Sequence, residues 1–378
     1  MNSRERVLAA LNHEEGDRVP IHDSPWAASI ERWHKEGMPD DVSPAEYFDY
    51  EIVSFGADTS PRFPVEVVEE TEEYVLHTTS FGGLRRDHKD YSTTPEVIDY
   101  PCKSREDWEK IRGRLTPGRD RVDWKGQWLS GSADDDRGLE SVLETGRTEW
   151  RRGLPGCQRA REQGKFVCYS AAVGYDKMQS YVASERLLMA IATEPDWVRD
   201  MYETDAELAI QMCEIMKEGG FEFDGAFLFC DLGYKNGLLF SPRHFDEQLR
   251  PTFQRLFSYF NGQGLPIILH SCGRVLDLIP RFIEDGLACL QPVETKAGMD
   301  LVELKREFGD RMAFMGGIDV RAMADPDPSV IEEEIKSKIP LAKRGGGYIY
   351  HSDHSVPNNV SFQRYCRVLE LVREYGVY

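Results

Sequence analysis

Residues 266–274 read "PIILHSCGR", Pro266 to Arg274. A short apolar run stops abruptly on an imidazole and, two residues later, a thiol. A continuous apolar run with no polar alternation predicts a strand buried on both faces. On a strand end, His270 and Cys272 share a face, because side chains alternate with a period of two. The same grammar recurs from about residue 165 onward. Apolar runs at Phe166-Val167-Cys168-Tyr169, Ala226-Phe227-Leu228-Phe229, Ile267-Ile268-Leu269, Ala288-Cys289-Leu290, Ala313-Phe314-Met315 and Tyr348-Ile349-Tyr350 exit into "SAAVGYD", "CDLGY", "HSCGR", "QPVE", "GGIDV" and "HSDHSVP". Amphipathic stretches such as "SPRHFDEQLRPTFQRLFSYFNGQG" and "DPSVIEEEIKSKIPLAKRGG" lie between them. Strands alternating with helices predict a parallel sheet with helical crossovers. Reactive side chains at the ends of several different strands predict a (β/α)8 TIM barrel with its site at the C-terminal mouth. A doubly wound sheet would gather its site at one switch point, often on a glycine-rich phosphate loop, and no such motif occurs.

The N-terminal part reads differently. Ser3 can cap a first helix whose apolar face is Val7, Leu8 and Leu11, and Asp17–Ile21 reads as a short strand. Residues 63–91 are rich in β-branched side chains, with Gly82-Gly83 as a turn, and predict a small β-meander. Ser104 followed by Asp107 predicts another capped helix. The expected organisation is a single barrel domain over 1–378, with 60–150 as an inserted elaboration.

Composition narrows the function classes. The chain has 378 residues, 40% hydrophobic and 30% charged, with a formal net charge of -20. Such an acidic chain is a poor binder of nucleic acid or anionic lipid, both of which need clustered Lys and Arg. No apolar run approaches the roughly 20 residues of a membrane span. The first 20 residues lack the apolar core of a signal peptide, which points to the cytoplasm. The eight cysteines, Cys102, Cys157, Cys168, Cys213, Cys230, Cys272, Cys289 and Cys366, are scattered and form no CxxC pair, as expected of reduced thiols.

The strand exits supply the candidate site. An imidazole nitrogen and a thiolate side by side suit zinc, which takes mixed N and S ligands at about 2.0–2.3 Å. Glu294 and His354 end neighbouring runs and complete an expected ligand set of His270, Cys272, Glu294 and His354. In a strand that continued through "HSDHS", His351 and His354 would face opposite sides; His354 is preferred as the ligand, with His351 beside the pocket. Asp231 and His351 are the candidates for proton transfer. His22 and Asp23 follow the first strand and can line the pocket, and Tyr175 and Tyr234 follow strand ends and can stack on a flat substrate. Asp319 fits a helix cap at least as well as a pocket.

The segments "SRERVLAALNHEEGDRVP", "LLFSPRHFDEQLRPTFQRL", "LPIILHSCGRVLDLIPRFIEDGLACLQPVE", "FMGGIDV" and "GGGYIYHSDHSVPNNVSFQRYCRVLELVREYG" together resemble the uroporphyrinogen decarboxylase superfamily. The resemblance implies the (β/α)8 barrel and two functional branches. True decarboxylases work without metal and grip a polycarboxylate with paired arginines after the first strand; here that region is "VPIHDSPWAASIERW", which lacks them. The other branch contains cobamide-dependent methyltransferases with a zinc motif of His-x-Cys, a glutamate and a late cysteine. His270, Cys272 and Glu294 match it; the late cysteine is absent and His354 stands near its place. A zinc with fewer thiolates is a stronger Lewis acid, which suits release of an ether oxygen better than activation of a thiol.

The expectation is therefore a methyltransferase that moves a methyl group from a methoxylated aromatic compound to a corrinoid. The chain lacks Asp-x-His-x-x-Gly, so the corrinoid would ride on a partner protein. The resemblance is compatible with a homodimer. A metal-free decarboxylase-like lyase and a methylcobamide-to-thiol or folate methyltransferase are the alternatives.

Overall fold

A computed structural model of the chain describes residues 1–89, 95–126 and 153–378. Its centre is a curled, all-parallel sheet of seven strands whose spatial order follows the chain. The strands are β1 (Ile52–Phe55), β2 (Phe166–Ala172), β3 (Gly225–Phe229), β4 (Ile267–His270), β5 (Cys289–Val293), β6 (Ala313–Gly316) and β7 (Tyr348–Ile349). Helices connect them, among them Pro195–Glu218, Arg250–Gly262, Leu301–Phe308 and Pro328–Ala342, and helix Phe362–Tyr375 follows the last strand. All six expected runs are strands of this sheet.

The unbroken apolar character of the strands has a direct cause: both faces are covered. One set of side chains, Ile52, Phe166, Cys168, Phe227, Ile268, Cys289, Ala313, Met315 and Ile349, packs together inside the curl. The alternate residues, such as Val167, Ile267, Leu269, Leu290 and Phe314, pack outward against the helices. Each fully buried aliphatic or aromatic side chain contributes about 1.5–3 kcal/mol over its exposed state. Helix Ser3–Leu11 adds Val7, Ala10 and Leu11 to the inner cluster. Its cap is Asn2, not the expected Ser3: the Asn2 side chain accepts from Glu5 N, and Glu5 returns a bond to the Asn2 backbone.

The expected first strand at Asp17–Ile21 is only a bridging segment. Tyr350 N donates to Pro20 O at 2.9 Å, His22 N to Tyr350 O at 3.1 Å, and Glu51 N to Ile21 O at 3.0 Å, so this segment touches both edge strands of the sheet. Arg18 and Arg6 hold the buried Glu51 beneath it. The ladder strand on that side is instead β1, which pairs in parallel with β2.

The β-meander is present as a four-stranded antiparallel sheet of Val67–Glu70, Tyr74–Thr78, Leu84–His88 and Glu96–Asp99. It runs past the expected 63–91, because Glu96–Asp99 pairs back onto Leu84–Arg86. The Ser104 cap on helix Arg105–Arg112 is formed as expected. Within the expected elaboration at 60–150, residues 90–94 and 127–150 lie outside the described residues.

Candidate metal and substrate site

At the C-terminal ends of the parallel strands lies a cavity of about 530 Å³. Ile52, Val53, Phe227, Phe229, Trp26 and Pro292 give it apolar walls, and Asp231, His270, Cys272, Gln291, His351 and His354 give it a polar side. Among the described residues that line it there is no Lys or Arg.

The geometry around His270 follows from the strand ends. β4 stops at His270, and alternation sends His270 and Cys272 one way and Ser271 the other. Ser271 is fully buried, and its Oγ accepts from Leu232 N at 3.1 Å. Cys272 N donates to Asp231 Oδ1 at 2.8 Å, which ties the β3 exit to the β4 exit. The chain then turns at Gly273, with φ of 80°, against the backbone of Gly233; a Cβ there would lie 2.3 Å from the Gly233 carbonyl carbon, so only glycine fits.

Cys272 Sγ and His270 Nε2 are 3.4 Å apart, and His270 Nε2 lies 3.5 Å from Asp231 Oδ1. One ligand-capable atom from each of the three falls within 4.8 Å of the others. These are a nitrogen, a sulfur and an oxygen donor converging on one point, a donor set that fits a zinc-like ion with a coordination position left for substrate. Burial pulls the His270 imidazolium down, outweighing the charge of Asp231, and so favours the neutral ring. Burial, followed by the nearby Asp231, pushes the Cys272 thiol up. Asp176, from the β2 exit, is held up at about 6 by burial and by the charge of Asp231.

The expected site residues divide into groups. His270 and Cys272 come together as read, and Asp231, expected to transfer a proton, joins them as a third donor. Glu294 is not one of the three grouped donors: its Oε2 accepts from Gly273 N at 2.5 Å and its Oε1 pairs with Lys296 at 3.2 Å, so it braces the turn beside Cys272. His354 lines the cavity but stacks on Trp26, with centroids 6.3 Å apart and planes 13° from parallel. His351 lines it as well. Both histidines reach the pocket because the backbone bends at Asp353–His354, just past the Ser352 bridge to Ile318, which removes the alternation that set them on opposite faces. Asp353 turns away and accepts from Thr295 N and Val320 N.

His22 is on the cavity wall. Asp23 is buried behind it. The two tyrosines are elsewhere. Tyr175 enters helix Gly174–Val182 directly after a left-handed Gly174 and is buried against Phe240, centroids 5.4 Å apart. Tyr234 sits on a two-residue hairpin strand and is 53% exposed. The aromatic wall is supplied by Trp26, Phe227 and Phe229. Asp319 caps helix Val320–Ala324.

Gln291 is the polar lining residue that a one-dimensional reading passes over. It stands beside His270 in the β4–β5 register.

The uroporphyrinogen decarboxylase (URO-D) family model matches residues 178–375, more than half of the chain. The chain belongs to the uroporphyrinogen decarboxylase family. No curated protein matches it. Among solved structures, a methyltransferase from Methanosarcina mazei is similar over 99% of both chains, with a TM-score of 0.62 and 16% sequence identity. That likeness is one of fold, and it covers the N-terminal part that the family model leaves unmatched.

Proposed function

We propose that this family member is a zinc-dependent methyltransferase that takes a methyl group from a methoxylated aromatic compound and passes it to a corrinoid carried by a separate protein. The carrying observation is the convergence of His270 Nε2, Cys272 Sγ and the Asp231 carboxylate at one side of a largely apolar cavity that, among the described residues, has no lysine or arginine in its lining. A polycarboxylate such as a porphyrinogen would need cationic partners in that cavity, so the lining favours a neutral, flat substrate over the decarboxylase reading. The methyltransferase likeness in fold supports the same side. In this reading the (β/α)8 barrel is completed by the Val19–His22 segment as its eighth stave.

His270, Cys272 and Asp231 would hold the zinc. Bound there, the ion supplies a Lewis acid for the ether oxygen, and the partner's reduced corrinoid supplies the methyl acceptor. The chain's own residues do the rest. Trp26, Phe227 and Phe229 clamp the aromatic ring, which fixes the methoxy group toward the cluster and removes orientational freedom before reaction. The apolar walls exclude water from the site.

The test is elemental analysis of protein purified without chelator, followed by single-turnover demethylation of a panel of methoxybenzoates and methoxyphenols with a reduced corrinoid protein. About one zinc per chain and formation of methylcobalamin support the proposal. Metal-free protein that decarboxylates a substrate sinks it.

A further inference from the structure

Four polar groups form a line from the β7 exit to the metal cluster, and their donor and acceptor roles can be solved one after another. His351 Nδ1 lies 2.6 Å from the Ser352 carbonyl oxygen, which can only accept, so Nδ1 carries the proton. In the neutral ring, Nε2 is then an acceptor. Gln291 Nε2 and Ser24 Oγ each lie 3.4 Å from it, and the Gln291 amide, which has N–H to offer, donates to it. That choice aims Gln291 Oε1 at His270 Nδ1, 2.6 Å away. A carbonyl oxygen only accepts, so His270 Nδ1 carries its proton, and the lone pair falls on His270 Nε2. Nε2 is the atom that faces Cys272 and Asp231.

We infer that Gln291 is a positioning residue that fixes the His270 tautomer, reading the direction from Ser352 and His351 and presenting a bare Nε2 to an incoming metal ion. The inference rests on the metal reading for its purpose but not for its geometry. The physical basis is general: the free nitrogen of a ligating histidine is set by the hydrogen bond its other nitrogen makes, and such partners are worth about 10–100-fold in metal affinity. Gln291 is suited to the task by register, since it is the direct lateral neighbour of His270 on the sheet. It is also 3% exposed, so water does not compete for its amide.

Two variants separate the amide's two ends. Gln291→Glu keeps an acceptor for His270 Nδ1 and loses the donor to His351. Gln291→Met keeps the volume and loses both. Long-range 1H–15N spectra of metal-free protein labelled at its nine histidines report the tautomer directly, with His270 assigned by its loss in His270→Ala. The expected result is an Nδ1–H tautomer for His270 in the wild type and in Gln291→Glu, and a mixed or Nε2–H ring in Gln291→Met. Co2+ binding, read by thiolate-to-metal absorption, should weaken about 10–100-fold in Gln291→Met and within about threefold in Gln291→Glu. An Nε2–H tautomer in the wild type, or an unchanged tautomer in Gln291→Met, overturns the inference. Wild-type protein that binds no Co2+ overturns the metal reading instead, and the tautomer assignment then stands or falls on the spectra alone.

Discussion

The two sides of the cavity mouth carry similar residues in opposite states. On the β7 side the polar groups are saturated. Asp23 accepts from the Tyr365 hydroxyl at 2.8 Å, the Ser352 hydroxyl at 2.5 Å and Ser24 N at 2.9 Å, and Ser352 and Asp353 are fully buried. On the β3–β4 side, His270 Nε2 meets Cys272 Sγ at 3.4 Å, an ordinary distance for sulfur, and Asp231 Oδ1 at 3.5 Å, long for a hydrogen bond between nitrogen and oxygen. Composition is therefore a poor guide to which acid or histidine does chemistry. What distinguishes the two sides is whether the donor atoms already have partners. A saturated network fixes structure; a converging, half-satisfied one is built to take something in.

The sharpest way to break this contrast is Cys272→Ala. If the open side is a metal site, losing one of three ligands should weaken Co2+ or zinc binding by about 10²–10³-fold, measured by chelator competition. Thermal stability of the metal-free protein should change little, because the thiol is only partly buried and its contact is the 3.4 Å one with His270 Nε2. Binding unchanged by the substitution would remove the open side's distinction.

The complementary substitution is Asp23→Asn on the saturated side. An amide cannot accept from Tyr365, Ser352 and Ser24 through both of its termini, so one end is left facing donors. Urea unfolding should show a loss of about 2–3 kcal/mol. Metal affinity should stay within about threefold. An equal fall in stability and affinity would mean that the two sides act as one unit, linked through Ser352 and His351.

How far the sequence foretells these sides follows from what each depends on. The strand exits are legible because an apolar run that ends in His, Cys or Asp is a local pattern. His270 and Cys272 are paired by alternation alone. β1 escapes, since "IVSF" is short and its Ser54 is exposed; the better-looking run at Asp17–Ile21 serves only as a bridge. Asp231 is visible as a strand-end acid, but its role depends on the distance between two exits. Gln291 depends on sheet register, which no single strand encodes. Glu294 and the two tyrosines mislead for a related reason: each stands at the right place along the chain, and a turn at Gly273, Gly174 or the Gly233–Leu238 hairpin decides where its side chain goes.

Asp176 sharpens the comparison by its charge and carries the smallest expected effect. Burial first, and the charge of Asp231 second, hold its carboxyl at about 6, above its ordinary value. The folded state therefore binds more protons than the unfolded chain between about pH 4 and pH 6, and stability falls as pH rises through that window. Asp176→Asn keeps an oxygen for the Gln179 amide and removes the charge. In the presence of chelator the variant should be more stable than wild type by about 1–3 kcal/mol at pH 7.5, and the gain should fade as pH approaches 4. Urea titrations at the two pH values read this directly. Saturating Co2+ should shrink the gain at pH 7.5 without abolishing it, since the cation offsets Asp231 but not the burial of Asp176. A gain indifferent to Co2+ would place the cation away from Asp231, and the negative charge of the open side would then not be there to hold a metal.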